Sequence, residues 1–358
     1  MRRTIRLSLA MWVFATLLPA AAGEGRIPIP FQAPVTFPIT ITQPGKYVLT
    51  RDLAGPGGVP VIEISSHGVE IDLNGKVIAG GAPGISIEVV AEAVIRNGTI
   101  EGGDIGIHGV TGLNDIVVED VHILNTALQA ILLNDPDTYV IRRCIIEDLN
   151  TLQPSNGAIQ ITAGGRSQGT IESSVFRRSS GDGIRIEGGA GVVIRDNRIK
   201  EISGFGIRFV PEAEASFMVQ VQGNTLESCG TGISVIGGGS KVAGNLVTGS
   251  SAQGIWISGQ GISVLENVVR LSGSHGLLVG GGSGNDLQGN VLSMNGGFGL
   301  YFNSGATDNA FGRNSAFGNN TGGSPCVNPI GSEACDDNPA PSNYSFGDNL
   351  MPPSAGLF

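Results

Sequence analysis

The stretch 182–200, DGIRIEGGAGVVIRDNRIK, decides how the chain is read. Ile184 and Ile186 alternate with Arg185 and Glu187, the period of two expected of a half-buried β-strand. The pattern recurs as PGISI, IGIHG, QAILL, GAIQI, FGIRF, TGISV, QGIWI, HGLLV and FGLYF. The residue before the first apolar one is Gly84, Gly106, Ala130, Ala158, Gly183, Gly206, Gly232, Gly254, Gly276 and Gly299, in steps of 22 to 28. A second marker, Asn-x-apolar, follows each of the last six by 13 to 18 residues, at Asn197, Asn224, Asn245, Asn267, Asn290 and Asn314. Two markers in fixed order within each period mark a solenoid.

Strands of four or five residues joined by Gly-rich bends cannot bury an apolar face alone, but stacked coils can, each strand pairing in parallel with its counterparts. Glycine before the strand is expected to supply a positive φ at the bend. Asparagine tolerates the left-handed conformation, and stacked amides can hydrogen-bond along the rod. The six Asn are therefore read as structural. Upstream, their positions hold Gly98, Val121, Cys144 and Ser174, so the ladder belongs to the C-terminal half.

Composition sets further bounds. The chain has 358 residues, 57 of them Gly, only 15% charged, with a formal charge of −10. The start reads as a secretory signal: Arg2, Arg3 and Arg6, the apolar run LSLAMWVFATLLPAAA, and small residues at Ala20–Ala22 for cleavage. Its removal would leave a charge of −13, since it holds three Arg and no acid. A surface this acidic argues against nucleic acid as partner, and no later stretch is long and apolar enough for membrane insertion. In the oxidising compartment that export implies, Cys326 and Cys335, nine positions apart in a Pro/Asn/Gly-rich tail, are expected to pair.

The repeat resembles right-handed parallel β-helix proteins, the pectate-lyase-like superfamily. The segments ITITQPGKYVLTRDL and VEIDLNGKVIAG look like the opening coils of secreted bacterial members. The expectation is an all-β, single-domain right-handed parallel β-helix on the order of eleven coils. The expected boundaries are a signal peptide at 1–22, a lead-in at 23–35, the helix at 36–315 and an irregular tail at 316–358. Handedness rests on the resemblance and on the right-handed rule for parallel crossovers. Motifs of the enzyme families on this fold match poorly. Arg198-Ile199-Lys200 spells the RIK of polygalacturonases, but no NTD or DD precedes it. Asp135-Pro136-Asp137-Thr138 stands where mannuronan C5-epimerases carry Asp-Pro-His-Glu, without the His or the final acid. Asp135 and Asp137 are left as turn residues or ligands for a cation such as Ca2+. The carboxylate cluster of calcium-dependent pectate lyases has thin counterparts in Asp182, Arg185 and Glu187.

Two outward columns can be aligned. On the strand of VIRDNRI, Arg96, Glu119, Arg142, Glu172 and Arg195 alternate in sign, a solvated ion-pair ladder. On the GIxI strand the column reads Ser86, His108, Leu132, Gln160, Arg185, Arg208, Ser234, Trp256, Leu278 and Tyr301, with two Arg adjacent and no acid between them in the column. Glu187 or an anionic ligand would neutralise them. Two insertions, EDLNTLQPSNG and PEAEAS, flank these rungs and are read as loops on a binding face. The expected substrate-binding set is Gln160, Arg185, Glu187, Arg208, Trp256 and Tyr301, on an exported protein that binds an acidic polysaccharide or processes it by lyase or epimerase chemistry. The rivals are an adhesin-like structural β-helix and a periplasmic maturation factor.

Overall fold

The computed structural model describes residues 25–350 apart from 32, 89–91, 150–155, 164–166, 212–217, 321, 322, 324, 331–333, 339–342, 347 and 348. The signal-peptide expectation at 1–22 and the tips of both insertions lie outside the described residues. Among those described there is no helix; the chain is an all-β right-handed parallel solenoid of about 12 turns. Three faces build each turn. The GIxI face runs from Ile39–Ile41 through Asp182–Glu187 to Leu300–Phe302. The ladder face includes Gly45–Leu49, Gly191–Arg195 and Ala310–Gly312. The return face includes Leu53–Gly55, Val175–Ser179 and Ser315–Phe317.

The core is a set of inward columns. On the GIxI face Ile39, Ile62, Ile85, Ile107, Ile131, Ile159, Ile184, Ile207, Ile233, Ile255, Leu277 and Leu300 pair in direct register, each 6% exposed or less. Each side chain so buried contributes roughly 2 kcal/mol of transfer free energy, and a slip of one residue would turn the whole column to solvent.

The glycines before this column serve another purpose than the expected one. They do not lie in the left-handed region; they let successive backbones approach. A Cβ on Gly232 would stand 2.4 Å from the Gly254 carbonyl oxygen and 2.4 Å from Val247 Cγ1. The left-handed residue is instead the one before each ladder asparagine, Asp196, Gly223, Gly244, Glu266, Gly289 and Arg313, with φ of 57°, 64°, 63°, 56°, 66° and 56°. That bend turns the asparagine inward, where its amide meets the next coil. Asn224 Oδ1 accepts the backbone N–H and the side-chain amide of Asn197, both at 3.0 Å, and the same exchange continues through Asn314. The run extends past the six to Asn349. Below it, Ser174 Oγ accepts the Cys144 N–H at 3.1 Å, so the position keeps its bond without an amide. Two shorter ladders at other bends, Asn285–Asn309–Asn343 and Asn295–Asn319, do the same.

Beyond Phe317 the chain still adds to the stack. Ala334–Asp336 lies in register on Leu300–Phe302 and folds back antiparallel against Asn328–Ile330. Cys326 and Cys335 form the expected disulfide, their Cα atoms 5.8 Å apart. At the other end Ile27–Ile29, within the lead-in, pairs in parallel with Tyr47–Leu49.

Candidate functional site

The GIxI face places Gln160, Arg185, Arg208, Ser234, Trp256, Leu278 and Tyr301 on successive rungs of one outward column. The two arginines do have an acid between them, supplied by the first residue of the Asp182–Glu187 strand. Asp182 is 1% exposed. Its Oδ1 accepts the Phe205 N–H at 2.8 Å, and its Oδ2 lies 3.3 Å from Arg185 Nη1 and 3.8 Å from Arg208 Nη1. Gly204 makes room for the carboxylate, since a Cβ there would stand 2.4 Å from Asp182 Oδ1. Burial pushes the Asp182 carboxyl above its ordinary value, against the pull of the Phe205 N–H and the two guanidinium groups.

The arginines differ in what they have left to offer. Arg185 is occupied: its Nε donates to Glu187 Oε1 at 2.7 Å and its Nη2 lies 2.6 Å from the same oxygen. Arg208 sits with Cζ 4.6 Å from the Phe205 ring centroid, and its Nε is buried with no hydrogen-bond partner among the described residues. One rung on, Ser234 is fully buried and its Oγ lacks a partner; on the next, so does Trp256 Nε1. Unpaired donors thus stand on three consecutive rungs. Phe205 and Trp256 add an aromatic pair, with ring centroids 6.5 Å apart at 30°. Phe205 was not singled out in the sequence, although FGIRF puts it two residues before Ile207, where DGIRI has Asp182; the column Asp182, Phe205, Thr231, Gln253, His275, Phe298 flanks the whole face.

The other expected contacts are less available. Gln160 Oε1 accepts from Gln129 Nε2 at 3.2 Å and from the Gly157 N–H at 3.4 Å. Tyr301 stacks on His275 at 4.1 Å between centroids and 7° between planes, and its hydroxyl donates to Asp337. Burial, aided by Asp337, pushes the Tyr301 phenol up to about 12. Burial lowers the His275 pKa, and its Nδ1 accepts the Phe298 N–H at 3.1 Å, as suits a neutral turn imidazole. These groups belong to the C-terminal end, with Leu278 between them and Trp256 in the column. Asp135 and Asp137 are exposed, and Asp135 has a left-handed φ of 51°. No third acid, His or Cys among the described residues joins them in a cation cage; the one such group described is Cys326, Cys335 and Asp337, two of them tied in the disulfide.

Residues 58–167 and 212–328 match the sequence profile of the family described as right handed beta helix region, and with more than half of its length matched the chain belongs to that family. No curated protein matches it. Among solved structures it is similar to tailspike protein 3 of bacteriophage CBA120, at 15% identity and a TM-score of 0.46, over 89% of this chain and 56% of that one. It is similar also to the catalytic unit of the GH87 α-1,3-glucanase of Streptomyces thermodiastaticus, at 16% and 0.43, over 85% of this chain and 63% of that one. A third is the A-module of the mannuronan C-5 epimerase AlgE4 of Azotobacter vinelandii, at 14% and 0.46, over 87% and 91%. The chain thus spans 56% and 63% of the first two. At these identities the likeness is one of fold, and function has to be argued from the chain's own residues. No helix among the described residues is long and apolar enough to cross a membrane.

Proposed function

We propose that the GIxI face binds an acidic polysaccharide. The observation that carries this is the Arg208 guanidinium, 28% exposed with its acid partner 3.8 Å away, two rungs from the partly exposed ring of Trp256. A uronate carboxylate suits Arg208, whose shared acid Asp182 is 3.8 Å away and already tied to Phe205 and Arg185. The Phe205–Trp256 pair, both rings partly exposed, offers an aromatic surface to a pyranose. Arg185 and Glu187 bound the site on the opposite side of Arg208, while Gln160 supports the coil beneath and Tyr301 lies past the far end. Any Ca2+ at Asp135 and Asp137 would complete its shell with water or glycan oxygens.

The protein is read as exported, cut near Gly23. The Cys326–Cys335 bond supports an oxidising compartment. The test is affinity electrophoresis of the mature chain in gels containing polygalacturonate, alginate or neutral dextran, with absorbance of new double bonds followed in parallel. Retardation by a uronate polymer and not by dextran is expected. Migration unchanged in every acidic glycan would overturn the reading, and double-bond formation would make the protein a lyase rather than a binder.

A further inference from the structure

On the return face of the same rungs the charge pattern breaks. Several arginines on other rungs find an acid on the neighbouring coil: Arg142 on Glu119 at 2.6 Å, Arg195 on Glu172 at 2.5 Å, Arg143 on Asp120 at 2.7 Å. Arg177 instead lies directly opposite Lys200 on the adjacent strand, and Arg198 points outward two residues before Lys200. Like charges stacked one rung apart, at ~4.8 Å, repel.

The neighbouring acids do not relieve this. Glu147 pairs in register with Arg177, but its carboxylate is taken by His122 at 2.8 Å and Arg178 at 2.9 Å. Glu201 and Glu227 reach Lys200, at 3.6 and 3.5 Å. Among the described residues Arg177 and Arg198 have neither ion pair nor hydrogen bond. Together with Arg178, Lys200 and Glu201 they line a cleft of about 270 Å³. Two uncompensated guanidinium groups face one concavity in a chain whose formal charge is −10.

We propose that this cleft is a binding site for a dianionic oxyanion of the phosphate or sulfate class, separate from the GIxI face. Two open positive charges call for a dianion; a single carboxylate would leave one uncompensated. A tetrahedral anion presents oxygens in different directions, which suits guanidinium groups approaching from two rungs with Lys200 beside them. Because the chain as a whole carries net negative charge, the attraction is local and short-ranged, and added salt weakens it. The anion is either a free ion or a phosphate monoester on a sugar; both present a dianionic, three-oxygen face to the cleft.

The experiment is calorimetric titration of the mature chain with inorganic phosphate, inorganic sulfate and an oligosaccharide phosphomonoester, in chloride buffer of matched ionic strength. Saturable one-to-one binding of at least one of the three is expected, weakened at least tenfold by Arg177→Gln or Arg198→Gln and undetectable in the double variant. Arg195→Ala on the ladder face is the control and should bind as wild type. Binding of the inorganic ions identifies a free-ion site, and binding of the oligosaccharide alone identifies the ester. Folding is checked by melting in chloride, where removal of one of two repelling charges should leave the variants at least as stable as wild type. No saturable binding by wild type, or glutamine variants that bind as tightly as it does, would overturn the proposal.

Discussion

Replacing Asn245 by alanine tests the amide ladder at its middle. The Asn245 side chain accepts the Asn224 N–H at 2.9 Å and the Asn224 amide at 3.0 Å, and donates to the Val221 carbonyl and to Asn267 Oδ1, both at 2.9 Å. Not all four losses count equally. The Asn224 amide keeps Ile194 and Gln222 carbonyls as acceptors, and Asn267 Oδ1 keeps the Asn245 N–H. The Asn224 N–H is left buried with nothing to bond, at a cost of about 1–3 kcal/mol, and the Val221 carbonyl loses a partner worth about 1 kcal/mol. A loss of about 3 kcal/mol is expected, read from denaturant midpoints and from faster hydrogen exchange at Asn224. Asn245→Ser should cost about half as much, because a hydroxyl restores the acceptor that Ser174 supplies to Cys144. An alanine variant within about 0.5 kcal/mol of wild type would refute the ladder as a source of stability.

Gly254→Ala should destabilise by about 2 kcal/mol through overpacking, because its Cβ would stand 2.1 Å from Val269 Cγ1 and 2.7 Å from the Gly276 carbonyl oxygen; thermal unfolding of the variant checks this, and an unchanged midpoint would count against close approach as the reason for glycine. Burial pushes the thiols of Cys144 and Cys229 up to about 11 and about 12, so at pH 8 neither forms thiolate in the folded chain; a colorimetric thiol assay should find none in the native protein and two after unfolding, with Cys326 and Cys335 still joined. Asp182 has a raised folded-state pKa, so between its unfolded and folded values the native state holds the extra proton and stability falls as pH rises; Asp182→Asn should flatten that part of the pH–stability curve, and an unaltered slope would contradict it. A chain beginning at Gly23 has Trp256 as its one tryptophan, so its fluorescence should change saturably with a bound uronate glycan and stay constant if the site lies elsewhere.

The solenoid was legible because its two markers are local. Ile184 and Ile186 declare a strand, and Asn197 declares the bend that follows. The register of the outward column was legible for the same reason, since equal spacing puts Arg185 beside Arg208. What the spacing hid was the turn. Asp182 opens its strand and reads in the sequence as an ordinary turn acid until the next coil is laid over it and Phe205 donates to it. The purpose of Gly232 was hidden likewise, because the atom that excludes a Cβ belongs to Gly254, one turn away. Gln160 and Tyr301 looked like contact residues in one dimension; their partners, Gln129 and Asp337, appear only when coils are stacked.

Arg208, with the Trp256 ring on the same face, is proposed to receive a carboxylate-bearing sugar. Calorimetric titration with a uniform uronate oligosaccharide and its carboxyl-reduced neutral counterpart tests it most directly, on wild type, Arg208→Ala and Arg195→Ala. The account predicts that wild type and Arg195→Ala bind the acidic sugar alike and the neutral one weakly. Arg208→Ala should lose about tenfold or more in affinity for the acidic sugar, the worth of one charge-assisted contact. Equal affinity of all three proteins for the acidic sugar, or of wild type for the acidic and the neutral sugar, would contradict it.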